Sequence, residues 1–122
     1  MSATKIENAQ ITDTTLGIEY HGIMTAMIGL AGEGWGVGFG GYTFDQWDEA
    51  QKRRVGTDYG TEFVMRVLHV VGVDSWEKLT GQHVRVETEG WGGRVIKIGH
   101  ITKDRWFDPQ ALADTMRAKV QS

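Results

Sequence analysis

Apolar and polar side chains alternate from Ile6 to Thr14 and again from Leu16 to Tyr20, with many β-branched residues among them. A period of two puts alternate side chains on opposite faces of an extended chain, so both stretches predict β-strands. His21-Gly22 punctuates them, and Ile23 to Leu30 is an apolar, β-branched run that predicts the next strand. Ala31 to Gly34 reads as a turn. A returning strand from Trp35 to Tyr42 would carry Trp35, Val37 and Phe39 on one face and Gly36, Gly38 and Gly40 on the other. That second face would be bare of side chains.

The period then changes. Asp45 is placed to cap a short helix running to about Arg54, with Asp48 and Glu49 suiting the positive helix start, and Val55-Gly56 interrupts it. Thr57 is an N-cap for a longer helix, in which Tyr59, Phe63, Val64, Val67, Leu68 and Val71 form one apolar face and Gly72 fits a left-handed stop. That stripe predicts core. Asp74 to Leu79 predicts one more helical turn, closed by Thr80-Gly81.

Gln82 to Thr88 and Arg94 to Ile101 alternate around the Gly-Trp-Gly loop at 90 to 92, which predicts a hairpin. Its core face would pair Val84 with Ile98 and Val86 with Ile96. Arg94 opposite Thr88 and His100 opposite Gln82 would flank that apolar patch, while His83, Arg85 and Lys97 take the other face. Asp108-Pro109 is an N-cap followed by proline at the first helical position, and Leu112, Met116 and Val120 line one side of a C-terminal helix. The elements predict an α+β fold: antiparallel sheet and hairpins, a central amphipathic helix and a C-terminal helix, in one domain over residues 1–122. Hairpin sheets have edges, and edges with exposed aromatics favour a homodimer or higher homo-oligomer.

Composition narrows the function classes. Seventeen glycines in 122 residues is about twice the usual share of about 7%. Six of them fall in the eleven residues from Gly32 to Tyr42, GEGWGVGFGGY. Without cysteine there is neither a disulfide framework nor a thiolate metal site, and a cytoplasmic location is the default expectation. The start MSATKIENAQ lacks the basic-then-apolar pattern of a secretion signal, and no run approaches the roughly 20 apolar residues that span a bilayer. A net charge of −3 has the wrong sign for strong binding to a nucleic-acid backbone. Neither nucleic acid nor membrane is an expected partner, and any bound phosphate must be held locally.

No catalytic constellation stands out. Ser2, Ser75 and Ser122 lack a nucleophile elbow, and His21, His69, His83 and His100 show no zinc-type spacing, so neither a metal nor another cofactor is expected. Asp45, Asp48 and Glu49 are accounted for by helix capping, and Lys52-Arg53-Arg54 by a solvated helix end. Two features leave a choice open. The glycines of GFGGY either permit a bent strand or present free amides as a nest for an anion. Trp35, Phe39, Tyr42, Trp91, Trp106 and Phe107 are either core and interface residues or a platform on which a nucleobase stacks. Phosphate donors on hand are Arg94, His100, Arg85 and Arg105.

The order KIENAQITDTTLG, YHGIMTAMIGL, GFGGYTFD, SWEKLTGQHVRVE, IGHI and WF resembles, over nearly the whole chain, the phage anti-Thoeris sponge family. The resemblance implies a non-catalytic protein that binds, without cleaving, the cyclic ADP-ribose isomer made by an immune TIR enzyme. It implies pockets between subunits of a dimer or larger assembly, in the host cytoplasm. His21-Gly22 and the residues Phe39, Gly40, Gly41 and Tyr42 match the family pattern. Arg94, His100 and Trp106 complete the expected ligand set on grounds of chemistry alone. Three other readings stay open: an inhibitor that binds a host defence protein, as anti-CRISPR factors do; a nucleotide-signal hydrolase using His21, His100 and an acid; and a structural phage component.

Overall fold

The computed structural model describes residues 4–90 and 93–121, with side chains as far as residue 116. Its elements are β1 (Lys5–Ile18), β2 (Met24–Gly32), β3 (Trp35–Gly40), β4 (Asp45–Asp48), β5 (Arg53–Gly56), α1 (Asp58–Val71), β6 (His83–Thr88), β7 (Val95–His100), β8 (Trp106–Phe107) and α2 (Pro109–Gln121), with a 3-10 turn at Trp76–Lys78. Six strands form one antiparallel sheet in the order β3-β2-β1-β6-β7-β8, and β4 and β5 form a separate hairpin. The fold is α+β, as the pattern predicted.

Local signals place α1. Thr57 has extended backbone and its hydroxyl accepts from the Gly60 amide, while Gly72 adopts φ 92° and its amide returns to the Leu68 carbonyl. The apolar face between these caps buries Phe63, Val67, Val70 and Val71 against the inner face of the sheet. Opposite them stand Ile11, Ile28, Leu30, Val84, Val86 and Ile98, all at or near zero exposure. Phe63 is the centre of an aromatic group, with ring centroids 4.9 Å from Phe44 and 5.1 Å from Phe107. Truncating such a fully buried ring costs about 3–5 kcal/mol.

β1 is one strand of fourteen residues where two shorter ones were expected. A bulge between Ile11 and Asp13 shifts the ladder by one, so that Ile11 opposite Leu30 and Thr14 opposite Ile28 both point inward. Its first half pairs with β6 through Lys5 to Gln10, and its second half pairs only with β2.

Two further expectations are corrected. The segment from Asp45 to Arg54 is the β4–β5 hairpin, not a capped helix. The Asp45 carboxylate, in a residue only 8% exposed, accepts from Arg54 Nε at 2.9 Å and from a terminal nitrogen at 3.1 Å. Nine helical residues would separate the two by about 13 Å, out of reach of that fork. Both ends are also clamped, because the Phe44 amide donates to Met24 and the Thr57 amide to Phe44. Asp48 caps the hairpin turn through the Gln51 amide, and Glu49 binds Lys52 and the Trp47 indole.

The second correction is the β6–β7 register. Val86 faces Ile98 and Val84 faces His100, two residues from the expected pairing, and Thr88 faces Val95 rather than Arg94. A bulge follows Glu87, and it reverses the inside-outside parity of β7. Val95 and Ile98, three residues apart, can therefore both be buried. Trp91 and Gly92 of the connecting loop, and the Val120 side chain of α2, lie outside the described residues.

Candidate functional site

The seam between the two ends of the sheet holds a recess of about 300 Å³. Gly38, Phe39, Gly40 and Tyr42 line it from one side, Arg94, Val95 and Ile96 from the other, and Asp108 with Gln110 close it at the start of α2. β3 is an edge strand and β7 is separated from it by β2, β1 and β6, so the sheet must curl strongly for both to meet one cavity. Four residues expected at the ligand site, Phe39, Gly40, Tyr42 and Arg94, are thereby brought together.

Glycine geometry shapes the first wall. Gly40 and Gly41 have φ of 120° and 80°, turning the chain out of β3 toward Tyr42. The Gly41 amide donates to the Ala26 carbonyl at 2.8 Å, so it is already engaged in holding this bend. The bare outer face is partly covered, because the Met27 thioether reaches over Gly38 and Gly41. Phe39 is 3% exposed and belongs to the core, offering the recess no open ring face. Tyr42 is half-buried, 6.1 Å from the Tyr59 ring and 6.2 Å from Phe63.

The other walls bring charge. Arg94 is exposed and stands 3.4 Å from Glu89, a loose surface pair that leaves its guanidinium free to turn to a ligand. Asp108 uses Oδ1 to accept from the Gln110 and Ala111 amides at 3.0 Å each, fixing the α2 start. Tyr59 locks the same corner by donating to the Pro109 carbonyl at 3.0 Å. Burial, helped by Tyr42 and Asp108, pushes the Tyr59 phenol far above its ordinary value and keeps it a donor.

His21, His100 and Trp106 are not part of this recess. His21 sits exposed in the loop between β1 and β2, with Nδ1 2.9 Å from Glu19 and its ring 3.9 Å from that of Tyr20. At the end of β7, His100 Nδ1 accepts the amides of Thr102 at 3.1 Å and Lys103 at 2.9 Å, organising the loop to β8. Burial and the cations Arg105, Lys103 and Arg85 lower its pKa, and because Nδ1 accepts two amides the neutral ring carries its proton on Nε2.

Trp106 packs on Gly99 on the outer sheet face, with Arg85 4.9 Å and Lys97 5.6 Å from its ring centroid. It borders a second recess of about 340 Å³, with Arg66, Lys97 and Asp108. Asp108 thus lies between the two recesses. Its sequence signal is only that of a helix cap, and neither it nor Gln110 could be assigned to a site without knowing how the sheet curls.

No three His, Cys, Asp or Glu side chains among the described residues are grouped to hold a metal ion. No helix among them is long and apolar enough to cross a membrane. What the main recess offers is one exposed guanidinium, a phenol, a carboxamide, a carboxylate and apolar walls. Comparison with protein-family models, curated proteins and solved structures gives no match.

Proposed function

We propose that the protein binds a cyclic ADP-ribose signalling nucleotide and sequesters it without cleaving it, as a phage-encoded protein acting in the host cytoplasm. The observation that carries the reading is the meeting of the GFGGY segment with Arg94 in one recess. Arginine pairs with phosphate through a planar fork, and Gln110 beside it adds a second donor. Since the Gly41 amide is engaged, the phosphates rest on these side chains and not on a glycine nest. Tyr42 and Asp108 are left to meet a ribose or the base.

A volume of about 300 Å³ is at the small end of ligand pockets, roughly 300–1,000 Å³. It takes part of a cyclic ADP-ribose, and a second subunit of a homodimer or larger assembly covers the remainder. Sequestration then works by mass action: the protein must outbind the host receptor and outnumber the signal, with no transition state to stabilise.

One observation favours a second reading, an inhibitor that binds a host defence protein. Leu16, Ile18 and Tyr20 are 41%, 68% and 91% exposed at the free end of the β1–β2 hairpin. The hydrolase reading gains no such support, because His21 lies in the β1–β2 loop, His100 at the end of β7, and His100 Nδ1 is taken by backbone amides.

The test is to mix the protein with the product of an activated TIR enzyme, filter out the free nucleotide, heat-denature the retained protein and identify what it releases by mass spectrometry. Release of intact cyclic ADP-ribose is expected. Arg94→Ala should weaken retention at least about tenfold, the size of a lost charge-assisted contact, with unchanged thermal stability. Signal left free in the filtrate would turn attention to a protein partner, and signal consumed would restore the enzyme reading.

A further inference from the structure

One half-buried cation has no partner among the described residues. Arg105, between β7 and β8, has its Nε shielded from solvent without a hydrogen-bond acceptor, and its guanidinium forms no hydrogen bond or ion pair among the described residues. The guanidinium borders a cavity of about 490 Å³ at the C-terminal end of α1, together with Leu68, Gly72, Val73, Asp74 and Lys78. A terminal nitrogen of Arg105 and Nε2 of His100 lie 3.5 and 3.6 Å from the point where a Gly72 Cβ would stand. Because His100 Nδ1 accepts two backbone amides, the ring proton is on Nε2, on the side toward Gly72.

We propose that this cavity is an anion site for a small organic phosphate, held by the terminal guanidinium nitrogens of Arg105 and the His100 Nε2–H, with its body against Leu68 and Val73. Lys78 adds positive charge at the rim, and Asp74 is the one carboxylate lining it. Asp74 is paired with Lys78 at 2.7 Å and is itself largely exposed. The helix end is the wrong pole for an anion, so binding rests on the side chains and not on the dipole. The opposing structural role is that Arg105 only offsets that dipole. The apolar side chains of Leu68 and Val73 in the lining are why an organic body belongs there. This cavity shares no lining residue with the recess at Arg94, so the proposal stands or falls apart from the nucleotide reading.

The experiment titrates the full-length protein with inorganic phosphate and with phenyl phosphate, following backbone amide resonances by NMR. Shifts concentrated at Gly72, Val73 and His100 are expected, with phenyl phosphate binding more tightly. Arg105→Gln should weaken binding at least about tenfold, and Asp74→Asn, at an exposed position, should tighten it about threefold by removing like charge. Loss of stability in Arg105→Gln with no phosphate-induced shifts in the wild type would assign Arg105 to the helix end and overturn the proposal. So would shifts scattered over the surface and indifferent to Asp74→Asn.

Discussion

Trp106 rests its ring on Gly99, its cross-strand neighbour in the β7–β8 pair, so closely that a Cβ on Gly99 would fall 2.6 Å from the indole Cε3. The missing side chain is the seat of the tryptophan. Gly99→Ala should push the ring out from beside Arg85 and Lys97 and cost about 1–3 kcal/mol, as overpacking does. Denaturant unfolding followed by tryptophan fluorescence checks this. An unchanged midpoint would mean that the ring moves aside freely.

His100 makes stability depend on pH near neutrality. Its folded pKa is depressed below the ordinary value of about 6.5, by burial first and then by Arg105, Lys103 and Arg85. The unfolded chain therefore binds the proton more readily. Stabilisation is complete above the unfolded value and is lost as pH falls through the folded one. Melting temperature should decline from about pH 6.5 downward, and His100→Gln should flatten that decline. The same slope in the variant would place the titrating group elsewhere.

How much of this was legible in the sequence depended on whether the determining contact was local. α1 could be read to the residue, because Thr57 and Gly72 act on amides and carbonyls within one turn of themselves. The Asp45–Arg54 segment could not. Its acidic start and basic end imitate a helix, while the hairpin is fixed by a bidentate pair and by clamps to Met24 and Phe44. The β6–β7 register was missed because one bulged residue reverses parity, which an alternation pattern does not reveal. Arg94 is expected at the site from chemistry alone, and Phe39, Gly40 and Tyr42 from the resemblance. Their meeting depends on the curl of the whole sheet, as does the part played by Asp108 and Gln110.

Lys52 closes the β4–β5 turn with φ 54°, the one non-glycine residue with positive φ among those described. A left-handed L-residue costs about 1–2 kcal/mol, and glycine relieves most of it while adding entropy to the unfolded chain. Lys52 also pairs with Glu49, but both side chains are at least 70% exposed and the pair contributes little. Lys52→Gly should leave stability unchanged or raise it by up to about 1 kcal/mol. A clear loss in the denaturation midpoint would show that the Lys52–Glu49 contact matters more than the backbone.

Gly38 and Gly40, both lining the main recess, separate two reasons for glycine in the GFGGY region. A Cβ on Gly38 would meet the flexible Met27 thioether at 3.0 Å, which can swing away. At Gly40 the same atom would fall 2.5 Å from the Ala26 carbonyl oxygen, with backbone at φ 120° where side chains are strained. Gly38→Ala should therefore cost under about 1 kcal/mol, and Gly40→Ala more than about 2 kcal/mol, combining steric and backbone terms. Chemical denaturation of the two variants, with nucleotide retention measured on each, distinguishes the roles. If Gly38→Ala folds normally yet loses the nucleotide, the bare face at Gly38 is a contact surface for the ligand. If it retains the nucleotide as the wild type does, glycine at 38 serves only the packing of β3 under Met27, and Tyr42 and Arg94 remain the contacts to vary.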